Sequence, residues 1–172
     1  MNVIVRQANG DGEAAGVHPA AAREAYVETI RLIERAHRRF LDVVKDELER
    51  LGQEDINNVQ AVLLHNVGTE ELTPSELKTR GYYLGSNVSY NLKKLSELGY
   101  LVQRRSTKDR RTVRITVTEQ GAQVCALVER LLDRHMQSLG PIGGVDDQTL
   151  QGTAQTLRRL DRYWKDQVLY RL

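Results

Sequence analysis

Six side chains between Ser86 and Lys94 carry the groups that bond to base edges. Ser86, Ser89 and Tyr90 supply hydroxyls, Asn87 an amide, and Lys93 and Lys94 ammonium groups. An amide can bond adenine at two atoms, and an ammonium reaches O6 and N7 of guanine. Further on, Arg105, Thr107, Lys108, Asp109, Arg110 and Arg111 crowd into one short stretch. Guanidinium and ammonium groups there suit phosphate oxygens, which give affinity without sequence information. Two positions stay open on residue type alone. Tyr90 suits a base, a phosphate or plain exposure. Asp109 suits the turn at a loop tip.

The charge map follows the same two stretches. From Thr73 to Arg114 there are ten Lys and Arg against three acids, a net +7, while the rest of the chain carries −5 and the whole only +2. Positive charge gathered in a quarter of the chain is the footprint of a polyanion.

These residues need elements to position them. Val88, Leu92, Leu95 and Leu98 recur at helical spacing, so a helix over about residues 86–98 buries that stripe and turns Ser86, Tyr90, Lys93 and Glu97 outward. Gly99 suits the left-handed C-terminal position. Two strands follow, Leu101–Arg104 and Thr112–Val117, with a tip too long for a two-residue turn. Upstream, Thr73-Pro-Ser-Glu76 opens a short helix with a capping box, and Leu72 fits a one-residue strand. A helix starting near Asp55, with Asp55 as its cap, carries Ile56, Val59, Val62, Leu63 and Val67. The tight Gly81–Gly85 turn between two helices matches a helix-turn-helix unit.

Long amphipathic helices flank this unit. The first runs over about residues 20–51 with Tyr26, Ile30, Ile33, Phe40, Val44, Leu48 and Leu51 on one stripe. Another starts at Thr118. A last one from about Asp146 carries Leu150, Ala154, Leu157, Leu160, Trp164 and Val168. These stripes exceed what one small domain needs, and pairing two copies would cover them. Residues 1–19 have no helical period and are read as a mobile tail.

Signals for other chemistry are thin. Glu34-x-x-His37 has the spacing of half a carboxylate-bridged metal site, but no second pair exists. No phosphate-binding loop, dinucleotide glycine pattern or nucleophile elbow is present, so neither a metal, a cofactor nor enzymatic activity is expected. The one cysteine, Cys125, lies on an apolar helix side and is expected to be a buried, inert thiol. No apolar run of about 18 residues predicts a membrane span. The chain opens without a basic and then apolar leader, so the cytoplasm is the expected compartment.

Residues 72–121 resemble the multiple antibiotic resistance regulator (MarR) family of bacterial transcription factors. The resemblance rests on Leu92-Lys-Lys-Leu95, Leu98-Gly-Tyr-Leu101, Arg104-Arg105, Lys108-Asp-Arg-Arg111 and Val117-Thr-Glu-Gln-Gly121. The stretch Arg80 to Leu92 is also similar to an alphaproteobacterial subgroup tied to cell-wall transpeptidase and stress genes. Two features depart from the family pattern: Gly85 opens the reading helix, and Tyr82-Tyr83 sits in the turn. The resemblance implies a homodimer of six helices per chain that binds double-stranded DNA, usually as a repressor, and often yields to a small-molecule effector. It also implies that Asp109 orients Arg111 into the minor groove.

The expected fold is mainly α (α+β), a winged helix-turn-helix with long terminal helices and a β-hairpin wing. Residues 20–54 and 121–172 are read as dimerisation helices around a DNA-binding domain at 55–120. Candidates for an effector pocket are Tyr26, Ile33, His37, Phe40, Val62 and His65, although ordinary core is the favoured reading of all six. The runner-up function is a winged-helix module that binds RNA or a protein partner. An enzyme using the module as scaffold is a third reading, disfavoured by the missing catalytic groups.

Overall fold

The computed structural model describes residues 19–79, 85–105 and 112–170, with the side chains of residues 78, 79 and 85–87 not described. Six helices and two strands make up the described residues: α1 (Ala20–Arg50), α2 (Asn58–Val67), α3 (Pro74–Thr79), α4 (Gly85–Glu97), β1 (Leu101–Arg105), β2 (Val113–Val117), α5 (Glu119–Leu139) and α6 (Asp147–Tyr170). The fold is mainly helical with a single antiparallel hairpin, as the sequence pattern predicts. The chain divides into two compact units at Phe40. In the first, the α1 residues up to Phe40 are all exposed or half-exposed. The second holds the core and every residue that the sequence assigns to DNA.

Local chemistry explains where the elements of this second unit begin. Asn57, not Asp55, caps α2. Its Oδ1 accepts the Gln60 N–H at 2.9 Å, and Gln60 Oε1 accepts the Asn57 N–H at 3.1 Å. This reciprocal pair satisfies two helix-end donors at once. Asp55 instead accepts the Tyr100 hydroxyl at 2.8–2.9 Å. Thr73 and Glu76 form the expected box on α3, with Glu76 N–H donating to Thr73 Oγ1 at 3.1 Å and Thr73 N–H to Glu76 Oε2 at 2.6 Å. Thr118 caps α5 through the Gly121 N–H, and Asp146 accepts the Thr149 N–H at the start of α6.

The core gathers where α2, α3, α4 and α5 meet the hairpin. Leu63, Leu64, Leu77, Val88, Leu95, Leu101, Ile115 and Val128 are fully buried there. Leu72 pairs with Ile115 by two backbone hydrogen bonds, the one-residue strand read from sequence. Gly121 marks a place where only glycine fits: a Cβ would collide with the Tyr100 carbonyl oxygen and lie 2.7 Å from Val117 Cγ1. That close approach lets α5 leave the hairpin at once, and Thr118 Oγ1 reinforces it by donating to the Gly99 and Tyr100 carbonyls.

The stripe read along α1 is only partly buried. Val44 and Leu48 are buried, whereas Leu51 is 41% exposed. A charged residue joins them. Glu47 is buried and bridges two helices, accepting from Arg50 at 2.8 Å and from Arg134 of α5 at 2.6 Å. Hydrogen bonds from Arg50 and then Arg134 hold its carboxyl down at about 2.

Candidate nucleic-acid interface

Helix α4 presents two chemically different sides, as its sequence demands. Val88, Leu92 and Leu95 are buried. Ser89, Tyr90, Lys93 and Lys94 are exposed, Tyr90 to 67%. The buried stripe stops short of Leu98, which is only half-buried. Glu97, one turn beyond Lys93, lies 3.8 Å from the Lys93 ammonium and 4.0 Å from that of Lys94. Exposed pairs at such distances contribute at most about 1 kcal/mol. Both lysines are therefore readily exchanged onto a stronger anion.

Two polar links orient the exposed side. The first runs through the core. Gln60, already engaged in the α2 cap, donates its amide to Asn91 Oδ1 at 3.3 Å, and both residues are buried. A satisfied amide pair in an apolar setting resists helix rotation, because breaking it would leave polar groups unpaired. The second runs to the hairpin. Gln103 of β1 donates to Ser96 Oγ at 2.9 Å and to the Leu92 carbonyl at 3.3 Å, and Ser96 donates to that same carbonyl. The reading helix and the hairpin are thus held as one piece.

The hairpin concentrates positive charge. Its register pairs Leu101 with Val117, Gln103 with Ile115 and Arg105 with Val113 on one face, and Val102 with Thr116 and Arg104 with Arg114 on the other. Arg104 and Arg105 are exposed and Arg114 half-exposed. None of the three has an ion pair among the described residues. The wing positions Thr107, Lys108, Asp109, Arg110 and Arg111 lie outside the described residues, as do the side chains of Ser86 and Asn87.

A third anchor holds the joint between helix and hairpin. Tyr100 follows Gly99, whose φ of 81° ends α4 in the left-handed region. Burial, with the Asp55 carboxylate beside it, pushes the Tyr100 phenol above its ordinary range, so its hydroxyl stays protonated and donates to Asp55.

This is the frame of a winged helix, and comparison with known proteins agrees. Residues 56–121 match the family model described as a winged helix DNA-binding domain. Over 145 residues the chain is 39% identical to the exopolysaccharide II synthesis transcriptional activator ExpG of Rhizobium meliloti, covering 84% of this chain and 74% of that one. Among solved structures, the transcriptional regulator SlyA superposes with a TM-score of 0.70 at 16% identity, covering 84% of this chain and 99% of that one. The MarR protein of Peptoclostridium difficile does so at 0.68 with 14% identity, covering 84% and 92%. The chain belongs to the same family as the transcriptional regulator ExpG, and its fold is that of the MarR-type regulators. It is a winged-helix DNA-binding transcriptional regulator of that type.

For a member of this family, the remaining sequence candidates fall in two groups. Tyr26, Ile33, His37 and Phe40 lie in the first unit on α1, Tyr26 and His37 exposed, Ile33 and Phe40 half-exposed. Val62 is buried in α2, and His65 of α2 is half-exposed with its Nε2 2.7 Å from Glu129 of α5. Cys125 is half-buried rather than fully so, and burial raises its thiol above the ordinary range. That keeps it protonated and a poor nucleophile. No group of three or more His, Cys, Asp or Glu that could hold a metal occurs among the described residues, and no helix there is long and apolar enough to cross a membrane.

Sequence reasoning missed Gln60, Asn91, Gln103 and the Arg104–Arg114 pair. Some signals were present. Asn57-x-x-Gln60 has capping-box spacing, and Asn91 sits between Val88 and Leu95 on an apolar face. The arginine pair had no such signal, because a hairpin tip of unknown geometry leaves register open.

Proposed function

We propose that the protein regulates transcription by binding a palindromic operator as a homodimer in the cytoplasm. Ser86, Asn87, Ser89, Tyr90, Lys93 and Lys94 face the major groove in this reading, and the wing from Arg105 to Arg111 meets phosphates and the minor groove. The observation that carries it is the coupling of two surfaces: the exposed polar side of α4 is tied by Ser96 and Gln103 to a hairpin whose arginines have no ion pair among the described residues. Solved relatives add support, since FabT of Streptococcus pneumoniae was determined in complex with DNA and superposes with a TM-score of 0.64 at 20% identity.

The dimer rests on α6. None of its residues is buried, while Leu157, Val168 and Leu169 are 39%, 80% and 61% exposed. An amphipathic helix with its apolar face uncovered gains by pairing with a second copy. Two such copies bring two reading helices to half-sites about 34 Å apart.

Repression follows if the operator overlaps the promoter, because the bound dimer excludes polymerase. Activation is a second reading, favoured by the name of the relative that shares 39% identity. A small-molecule effector that acts on such a dimer would change the spacing of the reading helices. The test is binding of the full chain to the duplex upstream of its own gene and to a scrambled duplex, followed by a reporter carrying the upstream DNA. Preference for the upstream duplex supports the reading, and the reporter gives the sign of control. Equal binding to both duplexes, or to RNA alone, removes it.

A further inference from the structure

The exposed side of α4 can meet base edges only if the helix is held at one roll angle about its axis. The outer atoms of a helix lie about 5–6 Å from that axis, so a roll of about 10° moves them by about 1 Å. That exceeds the roughly 0.5 Å window over which a hydrogen bond stays good. The buried stripe of Val88, Leu92 and Leu95 does not fix the roll so finely, because apolar packing loses uniqueness before it loses stability. Two polar links stand at the borders of this stripe. At about 100° per residue, Asn91 and Ser96 lie about 140° apart around the helix, with Val88, Leu92 and Leu95 in the arc between them. Exposed Ser89, Tyr90, Lys93 and Lys94 fill the remaining arc.

The border at Asn91 is the more tightly constrained. Gln60 Oε1 accepts the Asn57 N–H at 3.1 Å, which leaves Gln60 Nε2 to donate to Asn91 Oδ1 at 3.3 Å. Turning the Gln60 amide over would set donor against donor. Gln60 itself stands on a fixed bed. Six of the ten α2 residues are buried, and Asn58 Nδ2 ties the start of α2 to the Leu41 carbonyl at 2.8 Å. Both amides are buried, so a roll that parts them strands polar groups away from water.

We propose that Asn91, held by Gln60, is a positioning residue for sequence recognition: the amide pair sets the roll of α4, and with it the preference for one duplex over another. The proposal rests on the reading that the exposed side of α4 meets base edges. Ser96 and Gln103 hold the other border. A small roll spares affinity for random sequence, because a flexible lysine follows a phosphate as a point charge and phosphates carry no sequence information.

The test uses the full chain, Asn91→Leu, the Gln60→Met/Asn91→Leu double variant, Asn91→Asp and a Leu63→Ala control. Binding is measured over a salt series on the upstream duplex and on a scrambled duplex of equal length. Asn91→Leu and the double variant should lose preference for the upstream duplex by about ten-fold, the worth of a base-edge contact, with scrambled affinity and salt slope unchanged. Asn91→Asp should keep the preference, because its carboxyl oxygen accepts the Gln60 N–H. The double variant should melt near the parent, since replacing both partners of a buried bond by apolar groups of like shape is nearly neutral. If Asn91→Leu is unfolded at the assay temperature, the double variant decides. Leu63→Ala should lower the thermal midpoint and leave the preference alone. Full preference in the double variant overturns the proposal, because apolar packing would then set the roll unaided. Equal loss in Asn91→Asp, or in Leu63→Ala, overturns it in favour of a general packing role. A parent chain that binds both duplexes alike overturns the reading of α4 beneath it.

Discussion

Helices α2 and α6 obey different rules, although both belong to the same unit. Helix α2 has only ten residues, and six of them are buried. Helix α6 has twenty-four, and none is buried. The short helix is apolar on nearly every side because α5 and the hairpin surround it. The long one is amphipathic, with Leu150, Leu157, Leu160 and Trp164 along one side and charged residues along the other. The contrast teaches that the reading module closes its own core, whereas α6 keeps an apolar face that the described residues leave partly or fully exposed. Stability of the first is a property of one chain. The use of the second depends on concentration.

The contrast breaks most visibly at α6. Leu157→Glu with Leu160→Glu should convert a dimer to a monomer in sedimentation at micromolar concentration, and affinity for a palindromic duplex should fall by about 100-fold or more as two linked half-sites become one. The reading module should remain folded by circular dichroism. A dimer that survives both charges would mean that α6 is not the interface.

The counterpart in the core is Leu63→Ala. Leu63 is fully buried in α2, and truncating it should lower the unfolding free energy by about 2–5 kcal/mol. Urea denaturation with an unchanged m-value would attribute the loss to packing. A loss below about 1 kcal/mol would show that the module is not the tightly packed region described here.

Glu47 sharpens the picture between these extremes, since it links α1 to α5 by charge rather than apolar packing. Glu47→Gln should destabilise by about 1–3 kcal/mol through loss of charged hydrogen bonds. The wild-type effect depends on pH. Its folded carboxyl is held at about 2 against 4.5 for a free one. The contribution is therefore complete above pH 4.5 and disappears as pH falls toward 2. Thermal midpoints of wild type and Glu47→Gln should converge over that window, and parallel curves would exclude the linkage.

The smallest effect is expected at the joint. Tyr100→Phe removes the hydroxyl that donates to Asp55, for a loss of about 0.5–1.5 kcal/mol. Affinity for DNA should fall by less than the stability loss implies, because Thr118 and the Gln103–Ser96 link still hold the hairpin on α4. A large loss of binding with little loss of stability would move the hinge of the reading module to Tyr100.

Much of this organisation is legible in the amino-acid order alone. Periodicity at Val88, Leu92 and Leu95 determines which side of α4 is buried, and hence that Ser89, Tyr90, Lys93 and Lys94 are exposed, since a helix repeats about every 3.6 residues whatever its neighbours. Capping at Thr73 and Thr118 is equally local. Alternation over Val113, Ile115 and Val117 calls for a strand. The sequence pattern points to Asp55 as the α2 cap, where the structure has Asn57. Both are good caps, and only the position of Tyr100, forty-five residues from Asp55, drew Asp55 away. The sequence could not foresee that Gln60 would meet Asn91 thirty-one residues on, or that hairpin register would set Arg104 against Arg114. Helix faces, caps and charge clusters are determined by neighbours in the chain, whose spacing is covalent. Partners across the core and across a hairpin are selected by which arrangement buries the most apolar surface with every polar group satisfied, and that choice is made by the whole fold at once.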